Sequence, residues 1–206
     1  MNLSTTVPQL FYDLIGRIIP GLAVLVMAIY ILNGHDNFIS SVKSSSDMSF
    51  AFSVGIILIS YLIGTIVGGM WLFFVRRKTD KKLENELLEI SNQFPSGNII
   101  ETSKLNIIGL VYDYVHHADP AAGVRIAKLS AEQHMAGVII LGGLFGGILN
   151  LFVGKDSDYM LSVYCVIFSI CSFFLYQHLK SRFATSLKNH WKLSQEVALI
   201  SQAEKK

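Results

Sequence analysis

The sequence predicts an all-α membrane protein, a bundle of four transmembrane helices with helical cytoplasmic extensions and both termini in the cytoplasm. Three observations predict it. The 206 residues are 51% hydrophobic and only 16% charged, with a mean hydropathy of +0.47, whereas soluble domains average about 25% charged residues. Four long apolar runs interrupt the chain, and the basic residues are concentrated in two of the segments that flank these runs.

The four apolar runs have the length that a bilayer requires. A helix rises about 1.5 Å per residue, so about 20 residues cross a hydrocarbon core of about 30 Å. The predicted spans cover about 11–32, 50–75, 136–153 and 159–179. The third run is at the short end of this range, but residues 120–135 before it also have a helical pattern and extend it backward.

The distribution of Lys and Arg predicts the orientation. Fourteen of the seventeen basic residues lie either between the second and third runs or after the fourth. The external loop 33–49 and the turn 154–158 carry one lysine each, Lys43 and Lys155. Because basic loops stay on the cytoplasmic side, the N-terminus, the segment 76–135 and the tail 180–206 are all predicted to be cytoplasmic.

The cytoplasmic segment 76–135 is predicted to be helical. The second span continues as a helix to about Ile90, because Leu83, Leu87 and Ile90 recur at helical spacing. The apolar residues of 102–117 also fit one helical face, although their β-branched and aromatic content leaves a strand possible. Asp119 before Pro120 predicts the start of the next helix, with the carboxylate as its N-cap.

Glycines spaced four apart predict close helix packing. Lipid tails are as apolar as Leu, so small residues that let backbones approach each other drive helix association in a bilayer. These glycines serve either a subunit interface or packing within one chain, and both roles are open. The G-x-x-x-G pairs are formed by Gly64 and Gly68 in the second span, and by Gly142 with Gly146 and Gly143 with Gly147 in the third.

The C-terminal tail predicts an amphipathic helix that prolongs the fourth span. Phe183, Leu187 and Trp191 follow Leu179 at intervals of four and form one apolar face. This face either docks a soluble partner or packs on the chain's own segment 76–135. In the second case, the basic side of the helix would lie near anionic lipid headgroups.

Five charged residues are candidates for a functional cluster at the cytoplasmic interface. Charges at the centre of a membrane helix cost roughly 2.5 to 3.5 kcal/mol, and less near the interface, so they are expected to be paired or turned inward. Asp13 and Arg17 lie four apart on the first helix, where simple anchoring at the interface is the alternative. The cluster consists of Asp13, Arg17, Arg125, Lys128 and Glu132. We expect Asp13, Arg17, Arg125 and Glu132 to form one ionic belt through which bilayer strain reaches the cytoplasmic helices.

No pattern in the sequence indicates catalysis. Cys165 and Cys171 lie at membrane depth and are predicted to be packing residues. His116 and His117 point about 100° apart on a helix and make a poor metal pair, and His134 is expected to be structural. We therefore predict a protein that is not an enzyme and has no cofactor, no metal and no direct nucleic-acid partner.

Two short motifs carry a resemblance. The segment from Tyr12 to Gly16, followed by Pro20 and Gly21, looks like the opening of small bacterial membrane proteins encoded near anti-phage genes. Arg125, Lys128, Ala131, Glu132 and Met135 resemble a second recurring pattern there. With the size and predicted topology, the chain most resembles the membrane subunits of the Kiwa defence system. The resemblance implies a homo-oligomer in the inner membrane that detects infection at the envelope and holds a cytoplasmic DNA-binding partner.

The expected function is therefore that of a non-enzymatic sensor and scaffold, whose partners are lipids, copies of itself and a soluble cytoplasmic protein. Two alternatives remain. One is a pore-forming or membrane-disrupting effector, which the glycines of the second and third spans suggest. A related defence family, in which a four-helix effector opens or disrupts the membrane after a nucleotide signal, has the same outline. The other is an assembly factor or accessory subunit of an unrelated membrane complex, which no feature of the sequence excludes.

Overall fold

The computed structural model describes residues 3–44, 50–92, 107–153 and 159–203, and nearly all of them are helical. Only Gly34 and Asp119 in these ranges fall outside a helix. The prediction of an all-α protein is confirmed for this part of the chain. The six helices are α1 (Leu3–Asn33), α2 (His35–Ser44), α3 (Phe50–Asn92), α4 (Ile107–Ala118), α5 (Pro120–Val153) and α6 (Tyr159–Ala203).

Four of the described helices are long and apolar enough to cross a membrane, as the four apolar runs predict. The candidate spans are Gly16–Asn33, Phe52–Val75, Pro120–Val153 and Tyr159–Val197. α3 has 43 residues and α6 has 45, so each is roughly 65 Å long at 1.5 Å per residue. Both helices therefore continue well beyond the length that a bilayer requires.

Helix α2 occupies part of the segment predicted to be the external loop 33–49. Gly34 ends α1 with a φ of 79°, a left-handed conformation that favours glycine. Its amide donates to the Tyr30 carbonyl at 3.0 Å, and its own carbonyl accepts from the Phe38 amide at 3.0 Å. The rings of Tyr30 and Phe38 pack edge to face at 5.4 Å, which holds α2 against the end of α1.

The junction of α4 and α5 agrees with the predicted cap. The Asp119 carboxylate accepts hydrogen bonds from the amides of Ala121 and Ala122, both at 3.1 Å. Pro120 occupies the first position of α5, where the missing amide hydrogen costs no helical bond. The described part of the ambiguous segment 102–117, from Ile107 onward, is helical; residues 102–106 lie outside the described residues.

The chain divides into two compact units. The first unit comprises Met1–Gln9, Phe74–Ser130 and Leu179–Lys206, and the second comprises Leu10–Phe73 and Ala131–His178. The first unit contains all of α4 and the C-terminal extensions of α3 and α6. The second contains most of the apolar spans.

Candidate functional site

The first unit is organised around a core to which four helices contribute. α4 buries Val111 and Val115, each 1% exposed, on one face. The Trp191 ring packs edge to face against Tyr114 at 5.2 Å between ring centres. The buried residues of this core are Leu87 from α3, Val111 and Val115 from α4, Ala122 and Ile126 from α5, and Leu187 and Trp191 from α6.

Two residues of the predicted docking face belong to this core. Leu187 is 0% exposed and Trp191 is 2% exposed, and the half-buried Phe183 packs against them. In the structure this face therefore packs against the chain's own segment 76–135, which is the second of the two predicted alternatives. Leu187 and Trp191 offer no surface to a partner in this arrangement.

A salt bridge beside the core joins the two long helices. The Lys188 ammonium donates to Oε2 of Glu86 at 2.7 Å, and Lys82 approaches the same carboxylate at 3.9 Å. The hydrogen bond from Lys188 is the main reason why the pKa of Glu86 lies below its ordinary value. Sequence reasoning missed this pair, although Glu86 and Lys188 each adjoin a core leucine, Leu87 and Leu187.

An apolar stripe on the last turns of α6 remains exposed. Leu193, Val197 and Ile200 are 52%, 57% and 60% exposed and follow one another at spacings of four and three. Lys192 and Glu196 lie next to this stripe and approach each other at 3.9 Å. The stripe therefore presents one narrow apolar face bordered by charged side chains.

In the second unit, the glycines of α5 contact helices on two sides. Gly142 lies against Val24 of α1, and Gly143 lies against Ser169 of α6. In the same way, Gly146 lies against Met27 and Gly147 against Cys165. Both G-x-x-x-G pairs of α5 thus take part in packing within the chain, one pair facing α1 and the other facing α6.

The glycines of α3 also contact other helices of the same chain. Gly64 lies against the backbone carbonyl of Arg17, and Gly21 of α1 lies against the backbone of Ser60 and Gly64. A Cβ atom at either glycine would collide with backbone atoms, which cannot move as a side chain can. Gly68, one turn later, lies against the imidazole of His134.

Hydrogen bonds join α5 and α6 within the spans. Asn150 donates to Oγ of Ser162 at 2.9 Å, and Ser162 donates to the Gly147 carbonyl at 3.2 Å. Oγ of Ser169 lies within hydrogen-bonding distance of the Ile140 carbonyl, at 3.3 Å. Such bonds between membrane helices contribute on average roughly 0.6 kcal/mol each, so they reinforce the glycine packing.

An aromatic pair in the second unit was also not predicted. Trp71 and Tyr176 pack edge to face at 5.0 Å, and Gly137 of α5 lies against the indole ring. Both aromatic residues are buried, at 7% and 5% exposed. The absence of a side chain at Gly137 makes room for the indole, a relationship that residue spacing in the sequence does not reveal.

The five residues of the predicted charge cluster, which include the four of the predicted ionic belt, are distributed over both units. Arg17 donates to the Tyr61 hydroxyl at 2.9 Å, and its guanidinium carbon lies 5.6 Å from the centre of the Tyr61 ring. Near this level Gly16 contacts Ala131, so α1 meets α5 next to Glu132, which is half-buried. Arg125 and Lys128 are exposed residues of the first unit, and the side chain of Asp13 lies outside the described residues.

Tyr61 is a contact of Arg17 that sequence reasoning missed. It lies within a long apolar run, where the sequence does not distinguish a tyrosine that contacts another helix from one that faces lipid. Its hydroxyl accepts from the guanidinium while its ring faces the positive charge, so one side chain compensates Arg17 in two ways.

The histidines and cysteines of the described residues do not form a metal centre. No group of three or more His, Cys, Asp or Glu side chains in this part of the chain is placed to hold a metal ion. His116 stacks on Tyr112 with ring centres 6.1 Å apart, and its ring lies against Gly123. Cys165 and Cys171 are free thiols, the first buried and the second exposed.

Comparison with known proteins gives no relative for this chain: no family model, no curated protein and no solved structure matches it.

Proposed function

We propose that the chain is a non-enzymatic scaffold and sensor of the bacterial inner membrane, in which the first unit holds a soluble cytoplasmic partner that supplies the chemistry. The observation that carries the proposal is the core of the first unit. Extensions of two membrane-spanning helices, α3 and α6, are held together there by Leu87, Leu187 and the Glu86–Lys188 salt bridge. A partner bound to this unit would be attached directly to the membrane helices.

The basic residues support the cytoplasmic placement of the first unit and of both termini. Among the described residues, the first unit carries exposed Lys81 and Lys82 after the second candidate span and exposed Arg125 and Lys128 on the first turns of α5. Concentrated Lys and Arg next to spans favour retention on the cytoplasmic side. The placement of the protein in anti-phage defence, with homo-oligomers and a DNA-binding partner, is supported by the resemblance of its two motifs to Kiwa membrane subunits.

The exposed stripe of Leu193, Val197 and Ile200 is the surface that we assign to the partner. Exposed apolar residues at this spacing on one helix form the type of face that docks into an apolar groove of another protein. The neighbouring Lys192 and Glu196 would give the contact a polar rim.

Purification of the intact assembly tests the proposal. The tagged chain is expressed with its neighbouring genes, extracted in mild detergent and weighed intact, so that copy number and bound protein are read together. We expect several copies of the chain with a stoichiometric soluble partner. Val197→Glu is expected to release the partner, while Leu110→Glu, at an exposed apolar position on α4, is expected to retain it.

Two results would contradict this assignment. If both variants retain the partner, the stripe is not the docking surface. If the assembly contains no stoichiometric soluble protein, the chain is not a scaffold for one. Both variants are first compared with the unchanged chain by size-exclusion chromatography, so that loss of folding is not read as loss of binding.

A membrane-disrupting effector is the main rival, and membrane potential separates the two functions. The rival was suggested by the glycines of the second and third spans, but these glycines contact residues of the same chain, such as Val24, His134 and Ser169. We expect cells that express the chain alone to keep their membrane potential. Collapse of the membrane potential would favour the effector. An intact potential together with co-purification of an unrelated membrane complex would favour an accessory subunit.

A further inference from the structure

An apolar groove runs along the second unit beside α1. It has a volume of about 480 Å³ and is bounded by α1 from Ile19 to Met27, by α5 at Ile139 and Gly143, and by α6 from Tyr164 to Cys171. Apart from the Tyr164 hydroxyl, the side chains that line it are hydrocarbon, aromatic or sulfur-bearing.

The groove lies along the helices and within the candidate spans. Its wall on α1 extends over eight residue steps, which is about 12 Å at the rise of an α-helix. Ile19 and Met27 fall within the span Gly16–Asn33, and Tyr164 and Cys171 fall within the span that begins at Tyr159. The groove therefore opens to hydrocarbon, and its occupant has to be apolar and elongated.

The residues around the groove favour a lipid chain over a helix from a second copy. Helices associate in bilayers where small residues let backbones come close or where polar side chains form hydrogen bonds. Ala23 and Cys171 of the lining are exposed and small, but three other lining residues, Ile19, Ile167 and Phe168, are large and 53%, 51% and 61% exposed. They would hold another helix away from the groove but would leave room for a thin, flexible chain.

The glycine in the groove is already in contact with another helix of the same chain. Gly143 lies against Ser169 of α6, so it offers no free small-residue surface to a second protein copy. Met27 and Cys165 also meet there, with their sulfur atoms 3.6 Å apart. Polarizable sulfur atoms and an unbranched methionine adapt to a mobile hydrocarbon ligand.

We propose that this groove is a binding site for one acyl chain of a membrane lipid. A chain in the groove has protein contacts on three sides, from α1, α5 and α6, whereas a lipid on the convex surface has contacts on one side. It should therefore exchange with bulk lipid more slowly than the surrounding lipids do and remain bound through mild detergent extraction.

Photo-crosslinking tests the site. The full chain is reconstituted in vesicles of phosphatidylethanolamine and phosphatidylglycerol that contain a phospholipid with a diazirine midway along one acyl chain. After irradiation, labelled peptides are mapped by mass spectrometry. We expect labelling of groove residues such as Ile19 and Cys171 to exceed severalfold the labelling of Leu62 and Phe174, which are also exposed but lie outside the groove.

Matched variants fill the groove or leave it open. Ala23→Phe from α1 and Cys171→Phe from α6 place a ring in the groove and are expected to abolish its excess labelling. Val163→Phe adds the same ring at an exposed position of α6 outside the groove and is expected to leave the labelling unchanged. The two filling variants act from different helices, so a folding defect in one does not decide the result.

Either of two outcomes would overturn the proposal. Labelling spread evenly over all exposed apolar residues would mean that the groove holds only ordinary surrounding lipid. Protection of the groove together with crosslinks between two protein copies at α6 would mean that a second copy covers it.

Discussion

The Glu86 carboxylate accepts a hydrogen bond from the Lys188 ammonium at 2.7 Å, across 102 positions of the sequence. The side chains of both residues are about one-third exposed, at 33% and 32%. The contact lies next to Leu87 and Leu187, which are completely buried. The pair is therefore a partly shielded link between α3 and α6, and its strength depends on the charge of Glu86.

Acidification is expected to loosen the first unit through this pair. Because the pKa of folded Glu86 is lowered from its ordinary value of 4.5, its contribution to stability is present above that value and is lost as pH falls through the folded pKa. Partly exposed pairs contribute up to about 1 kcal/mol. Hydrogen exchange of the α4 amides should show weaker protection at about pH 4 than at about pH 6.

Glu86→Gln should remove most of this pH dependence, because the amide side chain does not titrate. Glu89→Gln changes an exposed carboxylate on the same helix and should leave the dependence as it is in the unchanged chain. If the pH dependence of protection persists in Glu86→Gln, it arises from another titratable group.

Two glycines of α3 should respond in opposite ways to a methyl group. Gly64→Ala would push a Cβ atom into the backbone of Arg17, whereas the corresponding space at Gly69 is empty. We expect Gly64→Ala to lower the apparent melting temperature in detergent and Gly69→Ala to preserve or raise it, because Ala favours a helix over Gly by up to about 1 kcal/mol. Equal effects of the two substitutions would refute the close α1–α3 contact.

Two leucines of α6 should differ in their importance for stability. Leu187 is 0% exposed and Leu193 is 52% exposed. Leu187→Ala should destabilise the first unit by about 2–5 kcal/mol through a cavity in its core. Leu193→Ala should change stability by less than about 0.5 kcal/mol. Hydrogen exchange of α4 is the measurement, and similar loss of protection in both variants would contradict the described core.

Cysteine labelling in intact cells tests the proposed orientation. In a chain with Cys165→Ala and Cys171→Ala, a new cysteine is placed at exposed Ser40 of α2 or at exposed Asn189 of α6. A membrane-impermeant maleimide should label Ser40→Cys from outside and Asn189→Cys only after permeabilisation. The reverse pattern would place the first unit outside the cytoplasm and rule out a cytoplasmic partner there.

The sequence predicted the spans, the helical continuations and the Asp119 cap, because these depend on local periodicity and capping chemistry. It could not identify the element that covers each apolar face. The spacing of Leu187 and Trp191 revealed an amphipathic helix, but only the arrangement of α3, α4 and α5 shows that the face is buried. Likewise, the glycine spacing predicted close packing but not its partners, Val24 and Ser169.

The short polar segment after α1 shows a different limit. The segment has few apolar residues, so their spacing does not show a clear helical periodicity for α2. The turn at Gly34 and the contact between Tyr30 and Phe38 define this helix. Both features depend on the position of the end of α1. The average hydropathy of a sequence segment gives no information about that position.

The turn at Gly34 also limits the hydrophobic length of α1. The candidate span Gly16–Asn33 has 18 residues, or about 27 Å, whereas Phe52–Val75 has 24 residues, or about 36 Å. A bilayer core of about 30 Å is close to the apolar length of α1 and shorter than that of an upright α3. We therefore expect α3 to tilt in a bilayer of average thickness, by an angle that changes with lipid chain length.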